Sequence, residues 1–270
     1  MKKIIDLYIN SSIHVALALV SLSLVTMLEF EVEVRENLLL FIFFGAVTGY
    51  NFVKYAEVTG LHHRSLAKRL RFIQVLTLIC LIGLVVSLFF LSIEIIAWSA
   101  IFGAFTLLYA LPVFSKKRNL RSISGLKIFI IAFVWAGVTV VLPITGAENV
   151  IFEDLLLEVV QRFLLVLVWI LPFEIRDLKY DLEMLGTIPQ RMGVTPTKIL
   201  GLILLALVIL LELLKSYSAS TSTLALGILC LITSIFVISS REEQSRYFTA
   251  FWVEALPLLW LGILVILRSF

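Results

Sequence analysis

The sequence predicts an all-α integral membrane protein, a bundle of nine transmembrane helices around a central cavity. Hydrophobic residues make up 61% of the 270 residues and charged residues only 15%, with a mean hydropathy of +1.07. Soluble domains are closer to half apolar and a quarter charged. The apolar residues also fall into nine runs of roughly the 20 residues that a helix needs to cross a bilayer.

The nine predicted spans follow one another without a soluble domain or a low-complexity segment, so residues 1–270 form one transmembrane domain. The first span follows Lys2 and Lys3, as in a signal peptide, but it lacks a clear cleavage site and is interpreted as a retained helix. The third and fourth are separated only by the residues SIE, which predicts a tight hairpin. The predicted spans are 8–28, 37–53, 72–92, 95–113, 124–145, 156–175, 198–214, 223–240 and 249–267.

The basic residues predict which side of the membrane each loop faces. With the N-terminus in the cytoplasm, 18 of the 22 lysines and arginines fall on the cytoplasmic side, as the positive-inside rule requires. The other side holds only Arg35, Arg162, Lys215 and Arg268, and its loops are acidic. We therefore expect a multi-pass protein of the bacterial inner membrane, in contact with membrane lipids, with its functional loops in the cytoplasm.

Polar residues collect in three cytoplasmic loops, 51–71, 114–127 and 174–197, and function is expected there. The basic residues are sorted by topology, so they do not indicate a nucleic-acid partner. Cys80 and Cys230 lie inside apolar runs without CxxC spacing, which is typical of small buried residues.

The stretch FEIRDLKYDLEMLGTIPQRMG, residues 173–193, follows the sixth span directly. If the helix continues past Pro172, then Glu174, Asp177 and Asp181 lie at i, i+3 and i+7 and share one face. Neighbouring carboxylates repel one another unless a cation intervenes, and Mg²⁺ prefers carboxylates, water and substrate phosphate. Arg176 points elsewhere on the helix, where it can reach anionic groups. The alternative is a helix end that carries solvated charge.

The string Asp177-x-x-x-Asp181, preceded by Arg176 and followed by Gly186, Thr187, Pro189 and Gly193, resembles the second aspartate-rich motif of the UbiA superfamily of intramembrane prenyltransferases. The segment LYALPVFSKKRNLRSISGLKIFIIAFVWAG, 108–137, is similar to the family's segment between helices four and five. Nine helices with a cytoplasmic N-terminus also match, so the resemblance covers most of the chain.

The resemblance implies a bundle that holds the tail of a prenyl diphosphate in its cavity and the diphosphate at the cytoplasmic mouth. Mg²⁺ would help the diphosphate leave, and an aromatic or other lipophilic acceptor would take the prenyl chain. The implied catalytic residues are Asp177, Asp181 and Asn51. The implied substrate-binding residues are Lys54, Tyr55, Tyr109, Lys116, Lys117, Arg118 and Arg176. The implied metal ligands are Asp177, Asp181, Glu57 and Glu174.

The first aspartate-rich motif of the family is altered here. In GYNFVKYAEVTGLHHR, 49–64, Asn51 is present, but Tyr55 and Thr59 stand where the family has aspartates. Glu57 lies about 120° away from the Asn51 face of a helix, and it can serve only if the helix has ended. Lys54 shares the Asn51 face, where a fixed ammonium could partly replace a metal against diphosphate. Alternatively, Lys54 is simply a positive-inside residue.

The second motif departs from the family as well, because Glu174 replaces an asparagine and the stretch from Asp181 to Thr187 is one residue shorter. Two alternatives to a prenyltransferase therefore stay open: a terpene cyclase of the same superfamily, and a catalytically silent isoprenoid-binding scaffold. A transporter is disfavoured because polar groups collect at one face rather than near the midplane of paired halves.

Four further polar residues attract attention. His62 and His63 are poor metal ligands because neighbouring helical side chains point apart, which favours headgroup contact or a proton role. His14 is expected to form hydrogen bonds within the bundle. Glu254, inside the ninth span, should face the interior. There it could be protonated, be paired with His14 or Arg246, or face the cavity and orient an acceptor.

Overall fold

A computed structural model describes residues 2–55, 64–111, 123, 125–148, 150–179, 186–216 and 219–270. These residues form twelve α-helices and two π-helices, one at Gly137–Val141 and one at Phe248–Val253. The α-helices are α1 (Lys2–Asn10), α2 (Ile13–Glu29), α3 (Glu36–Tyr55), α4 (Arg64–Leu88), α5 (Ile93–Ala110), α6 (Lys127–Ala136), α7 (Leu142–Ile144), α8 (Phe152–Asp177), α9 (Ile188–Met192), α10 (Val194–Leu214), α11 (Ser220–Ser239) and α12 (Leu256–Arg268).

The long helices form a closed ring in chain order. Helix α2 packs on α3 and α3 on α4, the short turn at 89–92 reverses the chain into α5, and α5 packs on the span that begins with α6. That span packs on α8, and α10, α11 and α12 follow before α12 returns to α2. Apolar side chains on the outer surface, such as Phe89 and Ile93, are exposed, as expected for groups that face lipid. The ring confirms the predicted all-α membrane bundle.

Eight helices of the described residues are long and apolar enough to cross a membrane, and nine if α1 and α2 count as one bent span. The first predicted span, 8–28, is the one that differs. It is broken at Ser11 and Ser12, and α1 lies at 59° to α2. Ser12 adopts the left-handed backbone conformation, with φ of 63°. A non-glycine residue in this region is uncommon and needs support from its surroundings.

The sixth span extends two residues beyond its predicted end at residue 175. Helix α8 continues through Pro172 to Asp177, although proline removes one helical hydrogen bond. The carbonyl of Pro172 accepts a hydrogen bond from the side chain of Gln244. The fifth and ninth spans are each interrupted by a π-helix, and such interruptions are frequent at functional sites.

A buried ionic network joins several helices on the side of the bundle away from Asp177. Arg162, which is 0% exposed, lies 15 residues before Asp177 on α8 and therefore about 22 Å from it along the helix axis. Its guanidinium pairs with Glu158 at 2.6 Å and donates to Leu22 O and Thr26 Oγ1 on α2. Lys215 bridges Glu158 and Glu212 at 2.6 and 2.7 Å.

The charge balance of this network is set by its three carboxylates. Burial alone would lower the pKa of Lys215, but Glu158, Glu29 and Glu212 outweigh burial and raise the pKa above its ordinary value. The Lys215 ammonium therefore stays charged. The network ties α2, α8 and α10 together through buried charge, which is costly in a membrane unless every group is paired.

Close packing of the fifth span against α5 gives a first prediction. A Cβ atom at Gly137 would lie 2.1–2.6 Å from ring atoms of Phe102, so Gly137→Ala is expected to destabilise the fold by about 1–3 kcal/mol through overpacking. Gly103→Ala is the matched control, since its Cβ would meet nothing within 4 Å. Thermal unfolding in detergent measures both variants, and equal melting temperatures would contradict the packing argument.

Candidate functional site

The candidate site lies at the end of the bundle where α3 and α8 finish and the second π-helix begins, together with the α1–α2 break. We call this region the basic end, because Lys54, Lys127, Arg176 and Arg246 are located there. Four separate segments of the chain meet at this end through hydrogen bonds between side chains and backbone.

Helix α3 holds the α1–α2 break in place. The Asn51 side chain accepts from Ser12 Oγ at 2.8 Å and donates to Ser11 O and Thr77 Oγ1 at 3.1 and 2.9 Å. Asn51 is only 3% exposed. Tyr55 adds a hydrogen bond to Asn10 O at 3.1 Å. The two predicted site residues Asn51 and Tyr55 therefore have a structural role, and their contact with a substrate stays a prediction.

Lys54 is hydrogen-bonded to the α1–α2 break and is also exposed to solvent. Its ammonium donates to Ile9 O at 3.3 Å and to Ser12 Oγ at 3.2 Å, while the residue as a whole is exposed. Within the described ranges no carboxylate forms an ion pair with it. An ammonium has three donors, so Lys54 is fixed in position by two neutral acceptors and keeps a donor for an anion.

The second π-helix connects to the break through His14. The His14 ring stacks on Phe251 with centroids 5.1 Å apart, and its Nε2 and Nδ1 lie 2.9 Å from Phe251 O and Tyr8 Oη. The prediction of hydrogen bonds within the bundle for His14 is confirmed. Asp6 binds Arg246 and Tyr247, which attaches α1 to the same segment. The hydrogen bond to Asp6 raises the pKa of Tyr247.

Arg176 and Asp177 form a bidentate pair at the end of α8. Arg176 Nε lies 2.7 Å from Asp177 Oδ1, and its Nη2 lies 3.0 Å from Oδ2. Arg176 Nη1 also donates to Thr249 Oγ1 of the second π-helix at 2.6 Å. The expectation that Arg176 points away from the carboxylates is therefore wrong, because at the helix terminus the two side chains can turn toward each other. Asp177 remains partly exposed, with 27% of its side chain accessible.

Glu174 lies apart from this pair. It is 2% exposed and its Oε1 accepts from Lys127 Nζ at 2.9 Å, which ties α8 to the start of α6. A small cavity beside this ion pair is lined by Gly125, Thr187 and Ile188 among others. The ion pair gives Glu174 a structural partner, and its predicted role as a metal ligand is left as a prediction.

Glu254 follows the second π-helix and faces the interior of the ring. Lys54 and Arg176 are both close enough to interact electrostatically with its carboxylate, and so are Tyr8 and Tyr50. Two of the predicted pairings are not formed, since His14 bonds Tyr8 and Phe251 while Arg246 bonds Asp6. Glu254 is partly exposed although it lies within a predicted span.

An aromatic wall lies next to Glu254. Tyr50 Oη accepts from Trp135 Nε1 at 2.6 Å, and Tyr109, which is buried, lies within electrostatic range of Tyr50. These rings come from the second, fourth and fifth spans, on α3, α5 and α6. Tyr50 is the ring of this wall that the charge of Glu254 reaches, and the predicted contact of Tyr109 with a substrate stays a prediction.

The described residues bring together five of the predicted site residues at or near the basic end: Asn51, Lys54, Tyr55, Arg176 and Asp177. The predicted residues Glu57, Lys116, Lys117, Arg118 and Asp181, and also His62 and His63, lie outside the described residues. Sequence inspection missed Ser12 and Thr249, which bond Asn51, Lys54 and Arg176. It also missed Tyr50, which bonds Trp135. The serine pair before His14 gave no signal of the break, because small residues also fit inside an apolar helix.

Clusters of metal ligands and larger grooves could also mark a functional site. Among the described residues, no group of three His, Cys, Asp or Glu side chains converges as a metal site. A groove of about 790 Å³ lies elsewhere, between α10 and α11, and is lined by residues such as Leu205, Gly227 and Cys230. It is far from the polar groups of the basic end.

Comparison with solved structures identifies the architecture. A digeranylgeranylglyceryl phosphate synthase in membranes superposes with a TM-score of 0.57 over 99% of this chain and 97% of its own, at 16% identity. A UbiA homolog from Archaeoglobus fulgidus bound to GPP and Mg²⁺ gives a TM-score of 0.61 over 98% and 99%, at 12% identity. This likeness confirms the predicted UbiA-type fold. No protein-family model matches the sequence, and no curated protein matches it significantly.

Proposed function

We propose that this chain, which has the fold of the UbiA homolog, is a membrane prenyltransferase. It would hold a prenyl diphosphate at the basic end and pass the prenyl chain to a lipophilic acceptor. The observation that carries the proposal is that Lys54 of α3 bonds the α1–α2 break, Arg176 of α8 bonds the second π-helix, and this π-helix contacts the same break through His14. The positive-inside rule then assigns the basic end to the cytoplasm.

The two cations suit a departing diphosphate. Negative charge accumulates on the diphosphate as the bond to the prenyl carbon breaks, and cations that are already in position stabilise that charge without reorganisation. Lys54 is held by Ile9 O and Ser12 Oγ, and Arg176 by Asp177 and Thr249. Both charges are thus fixed before a substrate arrives.

The residues present fit a Mg²⁺ ion that is held mainly by the substrate. Mg²⁺ usually keeps several waters and is bound by one or two carboxylates together with phosphate oxygens, and Asp177 supplies an accessible carboxylate at the right end of α8. Asp181 is the proposed second ligand. When bound, Mg²⁺ supplies Lewis-acid neutralisation of the diphosphate. A carboxylate has about four lone-pair sites, so Asp177 could hold the ion while it still accepts from Arg176.

The interior of the ring suits the prenyl chain. The side chains buried inside it are mainly apolar, and apolar surroundings would keep water away from a reactive allylic cation. Tyr50 lies within electrostatic reach of Glu254 and of Tyr109, and aromatic faces attract cations. An allylic cation formed below the diphosphate would therefore be shielded on one side by rings and would meet the acceptor on the other.

Binding of geranyl diphosphate by variants in detergent tests the proposal. Lys54→Met is expected to weaken binding about 10- to 100-fold, because it removes a charged hydrogen-bond donor to the diphosphate. Lys198→Met is the matched control, since Lys198 is a partly exposed lysine that, among the described residues, donates to Ile238 O. Release of diphosphate in the presence of Mg²⁺ measures turnover. Equal affinities of the two variants would show that Lys54 is not part of the site.

A silent isoprenoid-binding scaffold is the second candidate, and the bidentate contact of Arg176 with both oxygens of Asp177 favours it. A silent scaffold would bind geranyl diphosphate without releasing diphosphate, and its affinity would not respond to Mg²⁺. A cyclase would release diphosphate and yield a hydrocarbon without any acceptor. One set of binding and product measurements therefore separates the three functions.

A further inference from the structure

Glu254 is an intramembrane carboxylate without a direct partner. Its side chain forms no hydrogen bond or ion pair with any other group in the described part of the chain, although it is only partly exposed. It directly follows the second π-helix, where one extra residue per turn changes the direction of the next side chains. A carboxylate at membrane depth is costly and points to function.

The groups that face Glu254 are engaged elsewhere. Lys54 donates to Ile9 O and Ser12 Oγ, and Arg176 binds Asp177 and Thr249. Both cations attract Glu254 at a distance without closing on it. Their neighbouring charge favours the ionised form of the carboxylate, and its oxygens stay available to a ligand.

The position of Glu254 fits the acceptor rather than the diphosphate. It directly follows the π-helix whose Thr249 binds Arg176 and whose Phe251 binds His14 at the α1–α2 break. Its charge also acts on Lys54 and on Tyr50, which lies one helical turn further into the bundle on α3. An anion would be repelled by it, so the diphosphate belongs on the side of the cations. The carboxylate then borders the space just below, where the first carbon of the prenyl chain would lie.

We propose that Glu254 binds the acceptor, that it selects a neutral molecule with a hydroxyl group, and that it takes the hydroxyl proton during transfer. This inference rests on the proposed function. The bond between the prenyl carbon and the diphosphate oxygen breaks, and its electron pair leaves with the diphosphate. The acceptor oxygen bonds to the prenyl carbon as its proton moves to the Glu254 carboxylate, which gives an ether and a neutral acid.

The same carboxylate disfavours acidic acceptors. A hydroxyl donates a charge-assisted hydrogen bond to a carboxylate, whereas a second carboxylate at this place would put two negative charges side by side in a medium of low dielectric. Lys54 and Arg176 do not relieve this repulsion once the diphosphate engages them. Glu254 would therefore discriminate a phenol or alcohol from a benzoate of the same shape.

The experiment uses 4-hexylphenol and 4-hexylbenzoate as acceptor probes and geranyl diphosphate as donor, with the full-length protein in detergent. Glu254→Gln is expected to reduce formation of the geranyl ether by about 100-fold or more, as for loss of a general base. It should also weaken phenol binding about tenfold and reduce the preference for phenol over benzoate. Geranyl diphosphate should still bind at least as tightly, because removal of a negative charge from the protein does not weaken the binding of an anion.

Two variants act as controls. Glu254→Asp keeps the carboxylate and should recover part of the ether formation and most of the preference for phenol. Glu94→Gln removes an exposed carboxylate at the start of α5 and should leave every measurement unchanged. Thermal unfolding verifies that each variant is folded. If Glu254→Gln does not fold, the rate and acceptor preference of Glu254→Asp test the assignment of Glu254.

The failures are distinguishable. If wild-type protein neither binds geranyl diphosphate nor releases diphosphate, the proposed function fails, whatever the phenol does. If wild type binds the phenol no better than Glu254→Gln does, or prefers the benzoate, the assignment of Glu254 is overturned even when geranyl diphosphate is turned over. Ether formation by Glu254→Gln at the wild-type rate overturns it as well.

Discussion

Asp177→Asn is expected to slow the release of diphosphate from geranyl diphosphate by about 10²- to 10³-fold, the effect of removing one preorganised electrostatic contact to a developing charge. Asparagine keeps the shape of the side chain but loses the negative charge that Mg²⁺ prefers. The variant should also need a higher Mg²⁺ concentration for half-maximal binding of geranyl diphosphate, which a fluorescence titration measures without any turnover.

The Mg²⁺ titration also separates two roles of Asp177. If Asp177 only positions Arg176 through the bidentate contact, the Asn variant would bind geranyl diphosphate less well, but its dependence on Mg²⁺ would match that of the wild type. Glu243→Gln, at an exposed position between α11 and the second π-helix, is the control for loss of a carboxylate at this end. An unchanged rate in Asp177→Asn would contradict the proposed metal role.

Arg162→Met is expected to have the largest effect on stability, about 3–5 kcal/mol, because it breaks a fully buried charge network. Methionine fills part of the volume, but it leaves Glu158 with one cation instead of two and removes one donor each from Leu22 O and Thr26 Oγ1. The melting temperature in detergent, followed by tryptophan fluorescence, measures the effect.

A matched ion pair at the protein surface provides the control. Arg246 pairs with Asp6 at 2.8 Å, but 54% of its side chain is exposed, and exposed pairs contribute only about 0–1 kcal/mol. Arg246→Met should therefore lower the melting temperature far less than Arg162→Met does. Similar shifts for the two variants would mean that burial of the Arg162 network adds no stability.

The spans were predictable because length and hydropathy are local properties of the sequence. The runs that became α3, α10 and α11 lie within a few residues of their predicted bounds. The break between α1 and α2 was not predictable in this way, since Ser11 and Ser12 are small enough to sit inside an apolar helix. Contacts from Asn51, Lys54 and Tyr55 on α3 stabilise the break, and such distant partners leave no local pattern.

For the candidate site, the sequence indicated which residues to consider but not which partners their side chains would contact. The motif around Asp177 marked the correct end of α8, and the spacing of Asn51 and Lys54 placed them on one face of α3. Which partner each side chain finds depends on distances across the ring. Glu174 therefore bonds Lys127 and Arg176 turns to Asp177, although helical spacing alone grouped Glu174 with the aspartates.

The buried network shows the same limit. Arg162 and Glu158 are four residues apart in an apolar run, and Glu212 and Lys215 are three apart, so the local pairs were visible in the sequence. That Lys215 also reaches Glu158, and that Arg162 reaches α2, follows only from the packing of α8 against α10 and α2.

The return of α12 onto α2 has a consequence for how the protein comes into being. Lys54 and Arg176 are synthesised before the last three spans. In contrast, His14 cannot stack on Phe251, and Glu254 cannot face the cations, until the ninth span has been inserted. Such pairings between distant parts of a chain form late. A partly made chain would therefore lack an acceptor site, and the reactive chemistry would be withheld until the ring is complete.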